Sequence, residues 1–201
     1  FIPSNWEWLD RKLGGGFIES GRSLYLFAGG TNVGKSIFLG NIATNVAAQG
    51  KTVVLISLEM SELMYAKRIS TNVTQIPIGD LNASADMVKR KVVSYKDSHP
   101  ESKLIVKEFP PNAITASDVT DGINDFTTIT ASQLSAYLQK LIHKGIKPDM
   151  VVLDYINLLH CPIGNNSYER VKHAAEQVRA LSYTFECPFV TATQINRGGL
   201  N

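Results

Sequence analysis

The hydrophobic positions of this chain fall into short, nearly continuous runs that are separated by longer amphipathic stretches. Apolar, β-branched runs of about four to eight residues are typical of strands in the interior of a sheet. Strands are predicted at residues 23–28, 52–58, 103–108, 149–154 and 189–192. The first two of these are predicted to be buried, and residues 149–154 give the strongest strand pattern in the chain.

The stretches between these runs place apolar residues three and four positions apart, as on one face of a helix. Helices are predicted at residues 35–48, 61–73, 84–97, 133–144 and 168–186, and a short amphipathic helix within the lead-in segment 1–22. Strands that alternate with helices predict an α/β fold with a mostly parallel central sheet and helices on both faces. Ligands of such sheets bind beyond the carboxyl ends of the strands.

The composition agrees with one α/β domain, since 44% of the 201 residues are hydrophobic and 19% are charged. The net charge of +2 neither requires nor excludes a nucleic-acid partner, because a local basic strip can hide in a neutral average. No apolar run reaches the roughly 18 residues that span a bilayer, so we expect a cytoplasmic protein without a membrane partner. Cys161 and Cys187 lack metal-ligand spacing, and we expect both to be small buried hydrophobes.

The two ends and one internal repeat bear on the organisation of the chain. Because it begins at Phe1, and because residues 196–201 show no helix or strand pattern, we expect a fragment of a longer protein. The sequence Ile-Thr-Ala-Ser occurs at residues 114–117 and again at residues 129–132. The acidic, turn-rich stretch between the two copies predicts a surface loop, and its aspartates do not follow the spacing of a calcium-binding loop.

A glycine-rich loop follows the first predicted strand. The pattern G-x-x-x-x-G-K-S is matched by Gly29, Gly30, Thr31, Asn32, Val33, Gly34, Lys35 and Ser36. Glycines let backbone N–H groups face phosphates, and the N-terminus of the next helix favours their negative charge. We predict that Lys35 reaches the β- and γ-phosphates and that Ser36 ligates Mg²⁺. A chance glycine-rich turn, the alternative, does not account for the strand before the loop and the helix after it.

Carboxylates follow two other predicted strands. Asp154 ends the strand 149–154, where it could hold Mg²⁺ through water or act as an ordinary helix or turn cap. Beside a phosphate loop, the magnesium role is the better explanation. Glu59 follows the strand 52–58 and could orient the attacking water toward the γ-phosphate. It could equally favour the N-terminal turn of the helix that begins at residue 61, and the residues alone leave both roles open.

Gln194 follows the last predicted strand. Its amide could respond to the γ-phosphate and transmit that response to the residues beyond it. The alternative is an ordinary polar strand end.

In their order along the chain, these motifs resemble those of the DnaB-type hexameric replicative helicases. The resemblance rests on residues 28–36, the motif Ser57-Leu58-Glu59-Met60, residues 154–159 and residues 194–197. The motif Leu9-Asp10 before three glycines, and Arg68 after the glutamate, fit as well. The chain is most similar to the helicases of T-even-like bacteriophages, and residues 116–131 look like an inserted surface loop relative to the family.

The resemblance implies one RecA-like ATPase domain over residues 1–201, which hydrolyses ATP between subunits of a hexameric ring and moves along single-stranded DNA. It assigns phosphate and Mg²⁺ contacts to Lys35 and Ser36, Mg²⁺ to Asp154, water activation to Glu59 and γ-phosphate sensing to Gln194. It also suggests a primase and a helicase loader as partners, in the cytoplasm of a host cell.

The resemblance further implies that an N-terminal domain and the C-terminal end of the ATPase core, with its arginine finger, lie outside residues 1–201. We therefore expect these residues alone to hydrolyse ATP poorly. Candidate DNA contacts are Arg197 and the loop 160–166 with nearby Arg170 and Lys172, and a solvated loop is the alternative.

Two other functions share parts of this pattern. A RecA-type recombination or repair ATPase, which forms a filament on DNA, has the same phosphate loop and a glutamate after the second strand. A regulatory nucleotide-binding module would bind ATP without turnover. The Ser57-Leu58-Glu59-Met60 motif together with Asp154-Tyr155 favours the helicase.

Overall fold

A parallel sheet forms the centre of the computed structural model, which describes residues 1–110, 129–164 and 166–195. Its strands are β1 (Leu24–Gly29), β2 (Thr52–Ser57), β3 (Lys103–Glu108), β4 (Met150–Asp154) and β5 (Phe189–Gln194). Their order across the sheet is β1-β5-β4-β2-β3, and every neighbouring pair is parallel. The predicted α/β class and parallel sheet are confirmed.

Helices cover both faces of this sheet, also as predicted. They are α1 (Glu7–Lys12), α2 (Lys35–Ala47), α3 (Glu62–Thr74), α4 (Ala85–Ser98), α5 (Ala131–His143) and α6 (Ser167–Phe185). Buried side chains of α5 and α6 pack on one face, and those of α1, α2 and α3 pack on the other. The predicted start of α3 is confirmed by Ser61, whose hydroxyl accepts a hydrogen bond from Met64 N over 3.3 Å.

The register of the strands brings their carboxyl ends to one edge of the sheet. Ser57 of β2 pairs with Asp154 of β4, and Gly29 of β1 pairs with Gln194 of β5. The residues that follow these strands therefore lie side by side, at the edge where parallel sheets bind ligands.

The prediction that the first strand is buried was wrong. Within the described residues β1 has β5 as its only neighbour, and Leu26 is 44% exposed. By contrast, β4 is buried at all of its positions and β2 at every position after Thr52. An apolar run predicts a strand, but its position in the sheet depends on strand order, which the run does not encode.

The predicted insertion at residues 116–131 lies largely outside the described residues, as does the first copy of the Ile-Thr-Ala-Ser repeat. The last residue of this stretch, Ala131, is the first residue of α5. Thr130 and Gln133 form a capping box, so the helix begins at Ala131, two residues before the predicted start. Cys161 and Cys187 are both buried and free, as predicted. No helix in the described part of the chain is long and apolar enough to cross a membrane.

Candidate functional site

The phosphate loop joins β1 to α2. Asn32 and Gly34 have positive φ angles of 57° and 89°, a conformation that glycine enters freely and asparagine tolerates. A Cβ atom at Gly29 would lie 3.0 Å from Val33 Cγ2, so the loop closes tightly on its own start. α2 begins at Lys35 without a side-chain cap. The N–H groups of its first turn are therefore available to an anion.

Lys35 lies along this loop. Its ammonium donates a hydrogen bond to the Gly30 carbonyl over 2.6 Å. It also lies 5.6 Å from the centre of the Tyr155 ring, within the range of a cation–π interaction. The lysine that was predicted to bind phosphate therefore lies where the loop would hold phosphate.

Ser36 and Asp154 meet although they are far apart in the sequence. The Ser36 hydroxyl donates a hydrogen bond to Asp154 Oδ1 over 3.1 Å. Asp154 is completely buried at the end of β4. Hydroxyl and carboxylate oxygens are ligands that Mg²⁺ prefers. The structure thus brings together the two residues predicted to serve the metal.

The surroundings of Asp154 suit a cation. Burial raises the pKa of Asp154 above its ordinary value, while hydrogen bonds from Tyr65 and Ser36 and the charges of Arg68 and Lys35 oppose that rise. A desolvated carboxylate destabilises a fold unless donors or a cation balance it. The described residues contain no cluster of three or more His, Cys, Asp or Glu side chains that could hold a metal ion.

Glu59 lies in the short loop between β2 and α3. The neighbouring Leu58 N–H donates to the Asp154 carbonyl over 2.8 Å, which holds this loop against the end of β4. The Ser57 hydroxyl donates to the Met60 carbonyl over 2.6 Å and accepts from Met60 N over 2.9 Å. Glu59 itself is exposed. Burial is the largest cause that raises the pKa of Tyr155, and the charge of Glu59 is the second. Glu59 therefore lies near Tyr155, the residue whose ring contacts Lys35.

Gln194 contacts the phosphate loop directly. Its side-chain amide donates to the Thr31 hydroxyl over 3.1 Å, and its carbonyl oxygen lies 3.4 Å from the Tyr155 hydroxyl, which donates to it. Gln194 N donates to Asn157 Oδ1 over 3.1 Å, and the Thr193 hydroxyl donates to the same oxygen over 2.9 Å. The end of β5 is thus tied both to the phosphate loop and to the turn after β4.

A separate cavity of about 370 Å³ lies among α2, α3, α4 and β3. Thr44, Val73 and Tyr95 are among the residues that line it, and none of the predicted site residues does. It is therefore distinct from the phosphate-loop site at the carboxyl edge of the sheet.

The residues that meet at this sheet edge belong to a chain that matches a known protein family over almost its whole length. The family model described as "DnaB-like helicase C terminal domain" matches residues 2–200. The chain belongs to this family. The match over almost the whole chain favours the helicase over the RecA-type recombination ATPase.

Individual relatives and solved structures that resemble this DnaB-like domain include replicative helicases. It is 29% identical over 193 residues to the DnaB-like replicative helicase of Enterobacteria phage T4, covering 92% of this chain and 38% of the phage protein. The solved ATPase domain of G40P matches with a TM-score of 0.74 and 18% identity, over 98% of this chain and 64% of that one. The solved structure of a DnaB-like replicative helicase and its interactions with primase matches with a TM-score of 0.72 and 17% identity, over 98% of this chain and 43% of that one. The two solved structures confirm the RecA-like fold. The DnaB-like domain spans well under half the length of its phage relative.

Two residues of the site were missed by the sequence reasoning. Tyr65 donates a hydrogen bond to Asp154 Oδ2 over 2.5 Å. Asn157 receives the two hydrogen bonds that hold the end of β5. A tyrosine on the apolar face of a helix has the pattern of an ordinary core residue, so no local signal marked it. Asn157 belongs to the motif that follows Asp154. Its polar amide among apolar neighbours could have marked it as a residue with a specific hydrogen-bonding role.

The loop predicted to contact DNA has a partly structural role in this DnaB-like domain. Cys161 is buried, and Asn166 caps α6 by accepting a hydrogen bond from Glu169 N over 2.9 Å. Asn165 and Arg197 lie outside the described residues. The DNA contacts of residues 160–166 stay a prediction.

Proposed function

We propose that this domain is the ATP-hydrolysing motor of a replicative DNA helicase that translocates along single-stranded DNA and unwinds duplex DNA. One observation supports this most strongly. In a chain that matches the DnaB-like helicase family over residues 2–200, Ser36 contacts Asp154 and Thr31 contacts Gln194 at the same sheet edge. A phosphate loop joined to two other strand ends in this way suits hydrolysis coupled to movement better than passive binding of a nucleotide.

In this proposal the phosphate loop, residues 29–36, binds the phosphates of ATP. Lys35 would exchange its contact with the Gly30 carbonyl for the β- and γ-phosphates, because a phosphate oxygen is the stronger acceptor for an ammonium group. Ser36 and Asp154 would hold Mg²⁺, directly and through water. When bound, Mg²⁺ would neutralise charge on the phosphates.

Glu59 and Gln194 would act on either side of the γ-phosphate. The exposed carboxylate of Glu59, next to the end of β4, would accept a hydrogen bond from the attacking water and orient it. Gln194 would respond to the γ-phosphate through Thr31 and pass that response along β5.

The partners follow from the same family. We propose a hexameric ring, with ATP bound between neighbouring subunits and single-stranded DNA as the track. A primase is a reasonable partner because one structural neighbour is a DnaB-like replicative helicase described with its primase interactions. A helicase loader, and action in the cytoplasm of a host cell, belong to the same proposal.

A strand-displacement assay tests this function. The full-length protein should release a labelled strand from forked DNA when ATP and Mg²⁺ are present, and should not do so with a non-hydrolysable ATP analogue. Rings in electron micrographs are expected with nucleotide. Filaments on DNA that hydrolyse ATP without displacing the strand would support the RecA-type alternative, and nucleotide binding without phosphate release would support a regulatory module.

A further inference from the structure

Tyr65 is a fully buried tyrosine in the first half of α3. Its ring belongs to the core that α1, α2 and α3 form with the sheet. A Cβ atom at Gly40 of α2 would lie 3.2 Å from Tyr65 Cε1, closer than ordinary van der Waals contact. The ring therefore packs directly on the backbone of α2, the helix that carries the phosphate-loop residues Lys35 and Ser36 at its start.

The hydroxyl of this tyrosine reaches the predicted magnesium carboxylate. It donates to Asp154 Oδ2 over 2.5 Å and lies 3.5 Å from the Ser36 carbonyl. The other oxygen of the carboxylate, Oδ1, accepts the Ser36 hydroxyl.

Two donors on opposite oxygens determine the plane of the Asp154 carboxylate. The terminal torsion of an aspartate is otherwise broad. A hydrogen bond from a hydroxyl to a carboxylate is among the shorter and stronger ones in proteins, and this one is shielded from water. The Tyr65 hydroxyl thus holds Oδ2 of the carboxylate, while the Ser36 hydroxyl of the phosphate loop holds Oδ1.

We propose that Tyr65 is a positioning residue of the Mg²⁺–nucleotide site, which holds Asp154 in the orientation that serves the metal. This inference rests on the proposed function, because it takes Asp154 to be the magnesium carboxylate. Hydrogen-bond partners of metal-binding groups typically contribute about 10- to 100-fold in metal affinity or activity.

The test compares Tyr65→Phe, which removes only the hydroxyl, with the unaltered full-length protein. Binding of a fluorescent, non-hydrolysable ATP analogue is titrated with Mg²⁺, and its affinity is also measured in EDTA. Tyr95→Phe is the matched control, because Tyr95 is a partly buried tyrosine of α4 that lines the separate cavity, away from the phosphate-loop site. Thermal melts without nucleotide establish that each variant is folded at the assay temperature.

The expected result is a rise of about tenfold in the Mg²⁺ concentration for half-maximal binding in Tyr65→Phe. Its affinity in EDTA should change by less than about twofold, within the usual scatter for uncoupled changes. Tyr95→Phe should match the unaltered protein in both measurements. An unchanged Mg²⁺ requirement in folded Tyr65→Phe, or an equal loss with and without Mg²⁺, would overturn the inference.

A double-mutant cycle separates positioning from a general structural effect. In the Asp154→Asn background, where the metal carboxylate is gone, Tyr65→Phe should cause no further change in the Mg²⁺ requirement. A full additional tenfold loss there would show that Tyr65 acts elsewhere. If the unaltered protein binds the nucleotide with no dependence on Mg²⁺, the proposed function itself fails. If it depends on Mg²⁺ and Tyr65→Phe behaves identically, only the role of Tyr65 fails.

Discussion

The Gln194 amide donates a hydrogen bond to the Thr31 hydroxyl over 3.1 Å, which joins the end of the last described strand to the phosphate loop. The two residues are 163 positions apart in the chain. The contact lies in the loop where the phosphates of ATP are proposed to bind, so arrival or loss of the γ-phosphate would disturb it. Through this hydrogen bond, a change at the phosphate loop would act directly on Gln194 at the end of β5.

Replacing Gln194 with Ala should slow ATP turnover by at least about tenfold, or about 1.4 kcal/mol in the barrier. Nucleotide affinity should stay within about threefold, because Lys35 and the loop N–H groups make the main phosphate contacts. Steady-state turnover and analogue binding in the full-length protein measure both. Gln49→Ala is the matched control, since Gln49 lies just beyond the C-terminal end of α2 and its side-chain amide donates to the Pro3 carbonyl over 2.9 Å. Turnover in Gln194→Ala equal to that in Gln49→Ala would refute a role for this contact.

Replacing Glu59 with Gln should leave ATP binding intact and lower turnover by about 10²–10⁴-fold, the usual contribution of a general base. The reason is that the amide keeps the shape of the side chain but cannot accept a proton from water. Single-turnover hydrolysis together with analogue binding checks this. Glu7→Gln, an exposed change on α1, is the control. If Glu59→Gln still hydrolyses ATP at the rate of the unaltered protein, the general base must be another residue.

Replacing Asp154 with Asn should raise the melting temperature measured without Mg²⁺ and nucleotide. Burial raises the pKa of Asp154, so the folded state at neutral pH holds a carboxylate whose charged form it disfavours. Removing about 1 kcal/mol of that cost corresponds to about 2–4 °C in a domain of this size. The Mg²⁺ concentration for half-maximal nucleotide binding should rise by at least about tenfold in the same variant. A melting temperature lower than that of the unaltered protein would show that the carboxylate stabilises the fold.

Glu62 joins the start of α3 to the end of β3 and makes the stability of the domain depend on pH. The Glu62 carboxylate accepts hydrogen bonds from Glu108 N over 3.0 Å and from Lys107 Nζ over 3.1 Å. The Glu108 hydrogen bond first, and then Lys107, lower the pKa of Glu62 below its ordinary 4.5. Because the folded-state pKa is the lower one, this stabilisation is present above pH 4.5 and is lost as the pH falls through the lowered value.

Urea melts of Glu62→Gln and the unaltered protein at pH 7 and pH 3 test this dependence. The variant should be less stable at pH 7 by no more than about 1 kcal/mol, since the group is largely exposed. The gap should shrink at pH 3. An equal gap at both values would mean that the charge of Glu62 makes no contribution.

Local patterns in the sequence were sufficient to predict most of the fold and the core of the site. The apolar runs predicted all five described strands to within two residues at either end, because burial on both faces leaves little room for polar residues in β2 and β4. The phosphate loop was predictable because its pattern spans eight consecutive residues whose geometry is local. The structure places Ser36 against Asp154, as the magnesium prediction requires.

What the sequence could not predict depends on tertiary neighbours. Tyr65 and Asp154 are 89 positions apart, and only the tertiary packing of α3 against α2 and β3 brings them together. The position of Tyr65 on α3 predicts a core residue, and its ring does pack in the core. Its hydroxyl, however, donates a hydrogen bond to Asp154. The position of β1 at the edge of the described sheet likewise depends on strand order, which no local pattern encodes.

The most direct test of the central claim is hydrolysis of ATP by the full-length protein with and without single-stranded DNA, in the unaltered protein and in Lys35→Ala. Lys147→Ala is the matched control, because Lys147 is an exposed lysine between α5 and β4, at the opposite edge of the sheet. We predict hydrolysis that single-stranded DNA stimulates in the unaltered protein and in Lys147→Ala. Lys35→Ala should hydrolyse ATP at least about tenfold more slowly, because removal of a charged phosphate contact costs at least that much. Hydrolysis by Lys35→Ala at the rate of the unaltered protein, with the same response to DNA, would contradict the account.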